Sequence, residues 1–473
     1  MNRWISVNGG KSKTRQPIRT TAVGRDRPMP SAHMTNAFLA RIATLAFLGI
    51  LFFVPKANIF YPTSSYVGVK PDDLAFGALL VVTALLVCLN RLRDKVSWTF
   101  LILAFLYLGV ALIAGGASNA STRAMYVYRY ASYLACLPIG VILAQRLKPK
   151  DTIHLARLYT VASIATSVLI ILQDQGIIGG FLNGTWTADV AARPVGQMSH
   201  PTEAAAVLLV VTGVAIALHH ATTRVWRLHA ITVIALAAAA VIITEARSTI
   251  LAVALTIVVM WAFSGPVVRR IFTWSVFVLL LTTLSIGALP VDAFQESESR
   301  ILQLLHPDSI VPAFAIFTDD SASYQSRPEG VDPSLYIRLL KWRDALERFA
   351  MSPVWGQGAG ALGPAVDGIY VRLLAETGLL GLIAFVGLLG IVYQRFRRAT
   401  PSSRGVGGVI LATLLIGLVI DIFYFARFAY VFWFSLGLLI GMDRARERGV
   451  GKSILISEKE PSPTNLELES EKS

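Results

Sequence analysis

Charge is scarce in this chain. Asp, Glu, Lys and Arg make up 15% of its 473 residues, against about 25% in soluble globular domains, which argues against a water-soluble enzyme with one or two cores. Cysteine is nearly absent. Cys88 and Cys136 are the two present, both inside apolar runs, so they read as small buried hydrophobes and not as a disulfide or a metal site. The seven histidines are scattered, and no D-x-D motif falls in an outward loop. The run Gly356, Gly358, Gly360 lacks the Gly-Lys-Ser/Thr of a Walker loop and reads as a flexible turn. No metal cluster and no cofactor are expected, and no repeat relates the two halves.

What is present is apolar. Hydrophobic residues reach 54%, and the mean hydropathy is +0.60, too high for bulk disorder. The excess is spread along the chain in runs at 37–54, 71–90, 98–115, 124–145, 154–173, 203–219, 227–243, 247–264, 270–289, 367–393, 406–422 and 426–441. Each is close to the length that crosses ~30 Å of hydrocarbon as a helix. Backbone groups in lipid must be satisfied internally, and the weak alternating segments of a barrel are missing. The expected fold is therefore an all-α polytopic membrane protein of about twelve transmembrane helices.

The net charge of +14 would suggest nucleic acid in a soluble protein. With the N-terminus inside, it becomes a topology signal. Arg91, Arg93 and Lys95; Arg146, Lys148 and Lys150; Arg224 and Arg227; Arg269 and Arg270; and Arg395, Arg397, Arg398 and Arg404 all fall on cytoplasmic connections. The short outer loops hold few cations, so both termini are predicted cytoplasmic and no nucleic-acid partner is expected. The organisation predicted is a basic disordered tail at 1–36, a nine-helix bundle at 37–289, a large non-cytoplasmic loop at 290–366 between the ninth and tenth spans, three helices at 367–441, and a disordered tail at 442–473. The loop is too long to lack structure. Its last part, Asp332 to Phe349, places Leu335, Leu339, Trp342, Leu346 and Phe349 on one helical face, either as a cover for the bundle or as a lid.

Against that background, charge on the outer side is the informative fraction. Arg193, Arg247, Arg338, Arg343, Arg372, Asp367, Glu203 and Glu376 are the candidates. Each has two readings. Glu203 can pair with Arg193, Asp421 with Arg427, and Glu245 can cap the eighth span, or the arginines together can receive a phosphate or pyrophosphate in bidentate fashion.

Four segments carry a family resemblance. RPVGQMSHPTEAAAVLL, EARSTILA, YIRLLKWRDALERFAMSPVWGQGAG and VDGIYVRLLAETGLLGLIAF resemble, in order, the motifs of the O-antigen ligase and polymerase superfamily. Pro201-Thr202 stands where Pro-Asn is usual, Ala246-Arg247 where Ser-Arg is usual, and Asp367 where the ligase branch carries His. The last departure favours the polymerase branch. The resemblance implies an architecture like that of the membrane-embedded (GT-C) glycosyltransferases in the bacterial inner membrane. The donor would be a glycan on undecaprenyl pyrophosphate, the acceptor a glycan hydroxyl, and a chain-length regulator and export machinery would be the partners. It implies Asp367, Arg247 and Arg338 as catalytic, with Arg193, Arg343, Tyr370, Glu203, Glu376 and Arg372 binding substrate, and no metal. Tyr370, one turn after Asp367, would orient a sugar or that carboxylate. A ligase acting on lipid A–core is the alternative. A transporter or flippase is the competing class, although its polar residues should lie at the midplane, and here they gather at the outer ends of spans. A structural subunit of the export machinery would not need outward arginines.

Overall fold

The computed structural model describes residues 30–55, 71–90, 98–114, 120–178, 194–198, 200–220, 226–244, 315–317, 331, 333–363, 366–398 and 401–457. Among these, the chain forms α1 (Pro30–Phe53), α2 (Pro71–Asn90), α3 (Trp98–Ile113), α4 (Ala120–Ala144), α5 (Pro149–Asp174), α6 (Pro201–His220), α7 (Trp226–Ile243), α8 (Pro333–Met351), α9 (Ile369–Arg398), α10 (Pro401–Val419) and α11 (Ala426–Ser457), with short 3-10 turns at Ala315–Phe317 and Ile422–Tyr424. No strand occurs among the described residues. The chain is an all-α polytopic membrane protein. Seven described helices are long and apolar enough to cross a membrane, and α3, α7 and α10 are shorter apolar helices. These ten coincide with ten of the predicted spans. The spans expected at 247–264 and 270–289, and the loop before Ala315, lie outside the described residues.

The centre of the bundle is α11, with Phe428, Tyr430, Phe432, Trp433 and Phe434 all buried. Lipid is as apolar as a leucine, so helices in a membrane associate through close packing and polar contacts instead. Both are present. Helix α11 packs most extensively on α4, where Gly437 lies against the Leu137 carbonyl and a Cβ on Gly140 would come within 2.6 Å of the Phe434 carbonyl. Hydroxyls bridge other helices: Tyr159 to Ser435 at 2.6 Å and Ser163 to Thr212 at 2.8 Å.

Helix direction alternates, so one end of the bundle collects the starts of α2, α4, α6, α9 and α11 and the ends of α1, α3 and α5. Gln197, before α6, donates to the Phe52 carbonyl of α1 at 2.6 Å. Gln173 of α5 donates to the Gly196 carbonyl at 3.0 Å. The Ala359 amide, before α9, reaches the Ala111 carbonyl of α3 at 3.3 Å. Polar residues that the sequence scatters over the whole chain therefore meet at one end.

Helix α9 is broken. Gly378 takes φ 63 and ψ −166, a conformation closed to residues with a Cβ. The turn after α8 fills the gap. The Gln357 and Gly358 amides donate to the Ala375 and Glu376 carbonyls at 2.8 and 2.9 Å, and the Leu379 and Leu380 amides donate to the Pro353 and Val354 carbonyls at 2.9 and 3.3 Å. The backbone groups freed by the break are thus satisfied by the loop, as a membrane segment requires. The glycine run expected as a flexible turn is instead stitched into the helix it precedes. Gly356 (φ 75) lies so close to the Glu376 and Thr377 backbone that no side chain fits there.

Candidate functional site

Asp367 sits in the turn just before α9, not inside the helix, because the chain turns through Gly368 (φ 93) before Ile369. Helix α8 holds it from two positions four residues apart, which share a helix face. Arg338 Nε donates to Asp367 Oδ2 at 3.1 Å, and the Trp342 indole donates to the Asp367 carbonyl. The pair is open, with side chains 32% and 29% exposed. Helix α8 is amphipathic, but its buried face differs from the expected one, since Leu346 is 40% exposed. Tyr336, Leu339 and Leu340 bury against Ile316 and Val331, which fixes which face meets α9. Lys341 lies beside the pair on α8. Burial holds its amine below the usual lysine range, opposed by Asp367 and reinforced by Arg338 and Arg372.

Below this pair lies a closed network. Arg372 and Glu376, one turn apart on α9, pair at 2.9 Å, and Arg372 Nε stands 2.6 Å from Asp421 Oδ2. That second contact is an ion pair without hydrogen-bond alignment, since Nε finds no bond among the described residues. Arg372 also donates to the Gly363 carbonyl at 3.0 Å and lies over the Tyr424 ring at 5.4 Å. The Gly360 and Leu362 amides donate to the Glu376 carboxylate, so both residues clamp the glycine-rich loop. All three charged side chains are almost fully buried. Arg372 and Asp421 line a cavity of about 20 Å³ with Tyr107, Tyr130 and Tyr133, room for one water.

The second closed network corrects the sequence reading. Asp421 does not pair with Arg427. Asp421 meets Arg372, and Arg427 reaches across 355 positions to Asp72, with Nη2 to Oδ1 at 2.7 Å and Nε to both oxygens at 3.2 Å. Arg427 Nη1 also donates to the Gln197 carbonyl at 3.3 Å. Arginine and aspartate are both wholly buried. Four bonds to one guanidinium leave little capacity for a ligand.

Of the other candidates, Arg343 turns away from Asp367, donating to the Ile316 carbonyl at 3.1 Å and lying 3.5 Å from Glu347. The Tyr370 hydroxyl donates to the Leu414 carbonyl at 2.9 Å; Trp342 and Arg338 orient Asp367 in its place. Glu203 is fully buried in the first turn of α6. Arg193, Arg247 and Glu245 lie outside the described residues. Sequence reasoning missed Asp72 and the roles of Trp342 and Lys341. It also missed Arg129, which sits inside an apolar run and escapes a count of loop charges. The pair Asp72-Asp73 at the first turn of α2 was the available signal.

Residues 232–386 match the family model described as O-Antigen ligase. Over that stretch the chain is similar to the O-antigen ligase family. The stretch holds Arg338, Lys341, Trp342, Asp367, Arg372 and Glu376, and so contains the open pair and most of the network beneath it. Asp421, Asp72, Arg427 and Arg129 come from outside it. No curated protein matches the chain. The match supports a role of the O-antigen ligase or polymerase type in polysaccharide assembly.

Proposed function

We propose that this protein is a polymerase of a surface polysaccharide. It transfers glycan from an undecaprenyl-pyrophosphate donor to a hydroxyl of another glycan at the outer face of the bacterial inner membrane. The observation that supports this reading is the half-open Arg338–Asp367 pair, at the end of the bundle where the helix starts converge. The acceptor oxygen attacks the anomeric carbon, the bond from that carbon to the pyrophosphate oxygen breaks with its electron pair, and the hydroxyl proton passes to a carboxylate. An anionic leaving group that takes Arg338 frees Asp367 from its partner, so donor binding itself exposes the base. A guanidinium fixed beside the breaking bond stabilises the developing charge, and Arg193 and Arg247 are further cations for the same phosphates. Arginines and a carboxylate suffice for this chemistry, so the proposed reaction is metal-independent. Arg372, Glu376, Glu203 and Tyr370 serve by holding the frame around the site.

Ligation to lipid A–core is the second reading, favoured by the description of the matching family. Asp367, where the ligase branch has His, weighs for polymerisation. Single substitutions R193A, R247A, R338A and D367N in the native host, with surface polysaccharide resolved on a gel, separate the readings. A polymerase loses the long-chain ladder and keeps single repeat units. A ligase loses all glycan on lipid A–core, and a flippase accumulates donor on the cytoplasmic leaflet. Four variants with wild-type polysaccharide would sink the assignment.

A further inference from the structure

Helix α9 carries an exposed apolar stripe: Leu379, Ile383 and Val386 recur at 3–4 residue spacing and all reach the surface. The helix is long and apolar enough to cross a membrane, and in such a helix an exposed apolar stripe faces lipid. The stripe stops at the break, since no residue of α9 from Ile369 to Gly378 is exposed. The turn after α8 takes its place. The Leu379 and Leu380 amides donate to its Pro353 and Val354 carbonyls, and a Cβ on Gly378 would come within 2.4 Å of the Val354 carbonyl. The apolar surface therefore continues from α9 onto Val354, Trp355 and, at the end of α8, Met351. Met351 is 74% exposed and Trp355 50%.

Helix geometry gives the depth of this turn. Arg395, Arg397 and Arg398 close α9 at its far end. Counting back from Tyr393, ~30 Å of hydrocarbon takes about 20 residues. Leu379 lies 14 positions back, which is about 21 Å. The turn stitched to it thus stands about 9 Å inside the opposite boundary of the hydrocarbon. Polarity along α8 changes at the same level. Asp344 and Glu347 are exposed and ionisable. Met351 shares their face and follows Glu347 after one turn, about 6 Å further on. A helix whose exposed face passes from charged to apolar, with a tryptophan just beyond its end, matches the boundary between water and lipid.

We propose that the turn Met351–Trp355 is a membrane anchor, with Met351, Val354 and Trp355 immersed at the boundary between headgroups and acyl chains. The anchor fixes the height of α8, and so of the Arg338–Asp367 pair, relative to the bilayer. Spin labels on the full-length protein in phosphatidylcholine nanodiscs test it, in a C88A background whose remaining thiol, Cys136, is buried. Labels at V354C and W355C should be relaxed more by oxygen, which concentrates in lipid, than by a water-soluble nickel chelate. Their depth should be about 5–10 Å below the headgroup boundary. A label at D344C should show the reverse preference, with an oxygen-to-nickel ratio several-fold lower. The two turn positions are exposed and independent, so either decides if the other variant does not fold. If these labels meet the nickel chelate as freely as the one at D344C, the turn stands in water and the proposal fails. If neither reagent reaches them, a second copy of the chain covers the turn and the proposal fails as well.

Discussion

Two sets of arginines occupy one end of this bundle. Arg372 and Arg427 are sealed, their donors directed at Glu376, Asp421 and Asp72 inside the protein. Arg338 and Arg129 are less enclosed, the first in a partly exposed pair and the second half-buried with Asp73 within electrostatic reach. The sequence presents all four alike, as cations in or near apolar runs. The difference is one of enclosure. A guanidinium sealed among buried carboxylates holds helices together, whereas one in a partly exposed setting can receive a ligand. Intramembrane charge is thus a sign of function only after its partners are known.

Substitutions should separate the two sets by what they damage. The largest effect is expected at Asp367: D367N should lower polymer formation by about 10²–10⁴-fold, the usual range for a lost general base. Its thermal unfolding should shift little, because a half-exposed ion pair stabilises by only about 0–1 kcal/mol. A large loss of stability in D367N would place Asp367 with the sealed set. The reverse pattern is expected at the Asp72–Arg427 pair. D72N leaves a buried guanidinium uncompensated and should cost about 3–5 kcal/mol, measured by unfolding in detergent. The double variant D72L/R427M should recover much of that loss. If D72N unfolds like wild type, the pair is not the girder described above.

G378A tests the stitch that carries the site. Its backbone conformation suits only glycine and should cost about 1–3 kcal/mol when Cβ is added, and activity should fall with it, because the loop behind Glu376 moves. Retained stability would show that α9 runs continuously there. The smallest effect concerns Lys341. Burial lowers its folded pKa below 10.5, so folding favours the neutral amine and the ammonium is lost at lower pH than in a free lysine. Any help it gives to anion binding should fade as pH rises, before the pH at which a free lysine loses its charge. K341R should hold its activity across that window, and identical profiles would remove Lys341 from the site.

How much of this was legible beforehand can be judged element by element. Ten predicted spans coincide with helices, because a run of apolar residues in lipid has few other ways to satisfy its backbone. Helix α8 was placed to within two residues by its 3–4 spacing and by Pro353 and Gly356 beyond its end. Arg338 and Asp367, singled out separately, prove to be partners 29 positions apart. The Asp421–Arg427 pairing was wrong because closeness in sequence across a turn says little about which neighbour a side chain faces. Arg129 was passed over because its span was counted by average hydropathy, which one arginine barely lowers.

By itself, the sequence determined that this is a membrane bundle, where its ten described apolar helices run and which residue types stand at one end of it. Those are consequences of local composition and of the length of the hydrocarbon layer. Only the tertiary structure decided which arginines are enclosed and which are partly exposed, that the glycine run mends a broken helix, and that Asp72 answers Arg427 from 355 positions away. Pairing between distant segments depends on how the helices pack, and no local pattern in the chain encodes it.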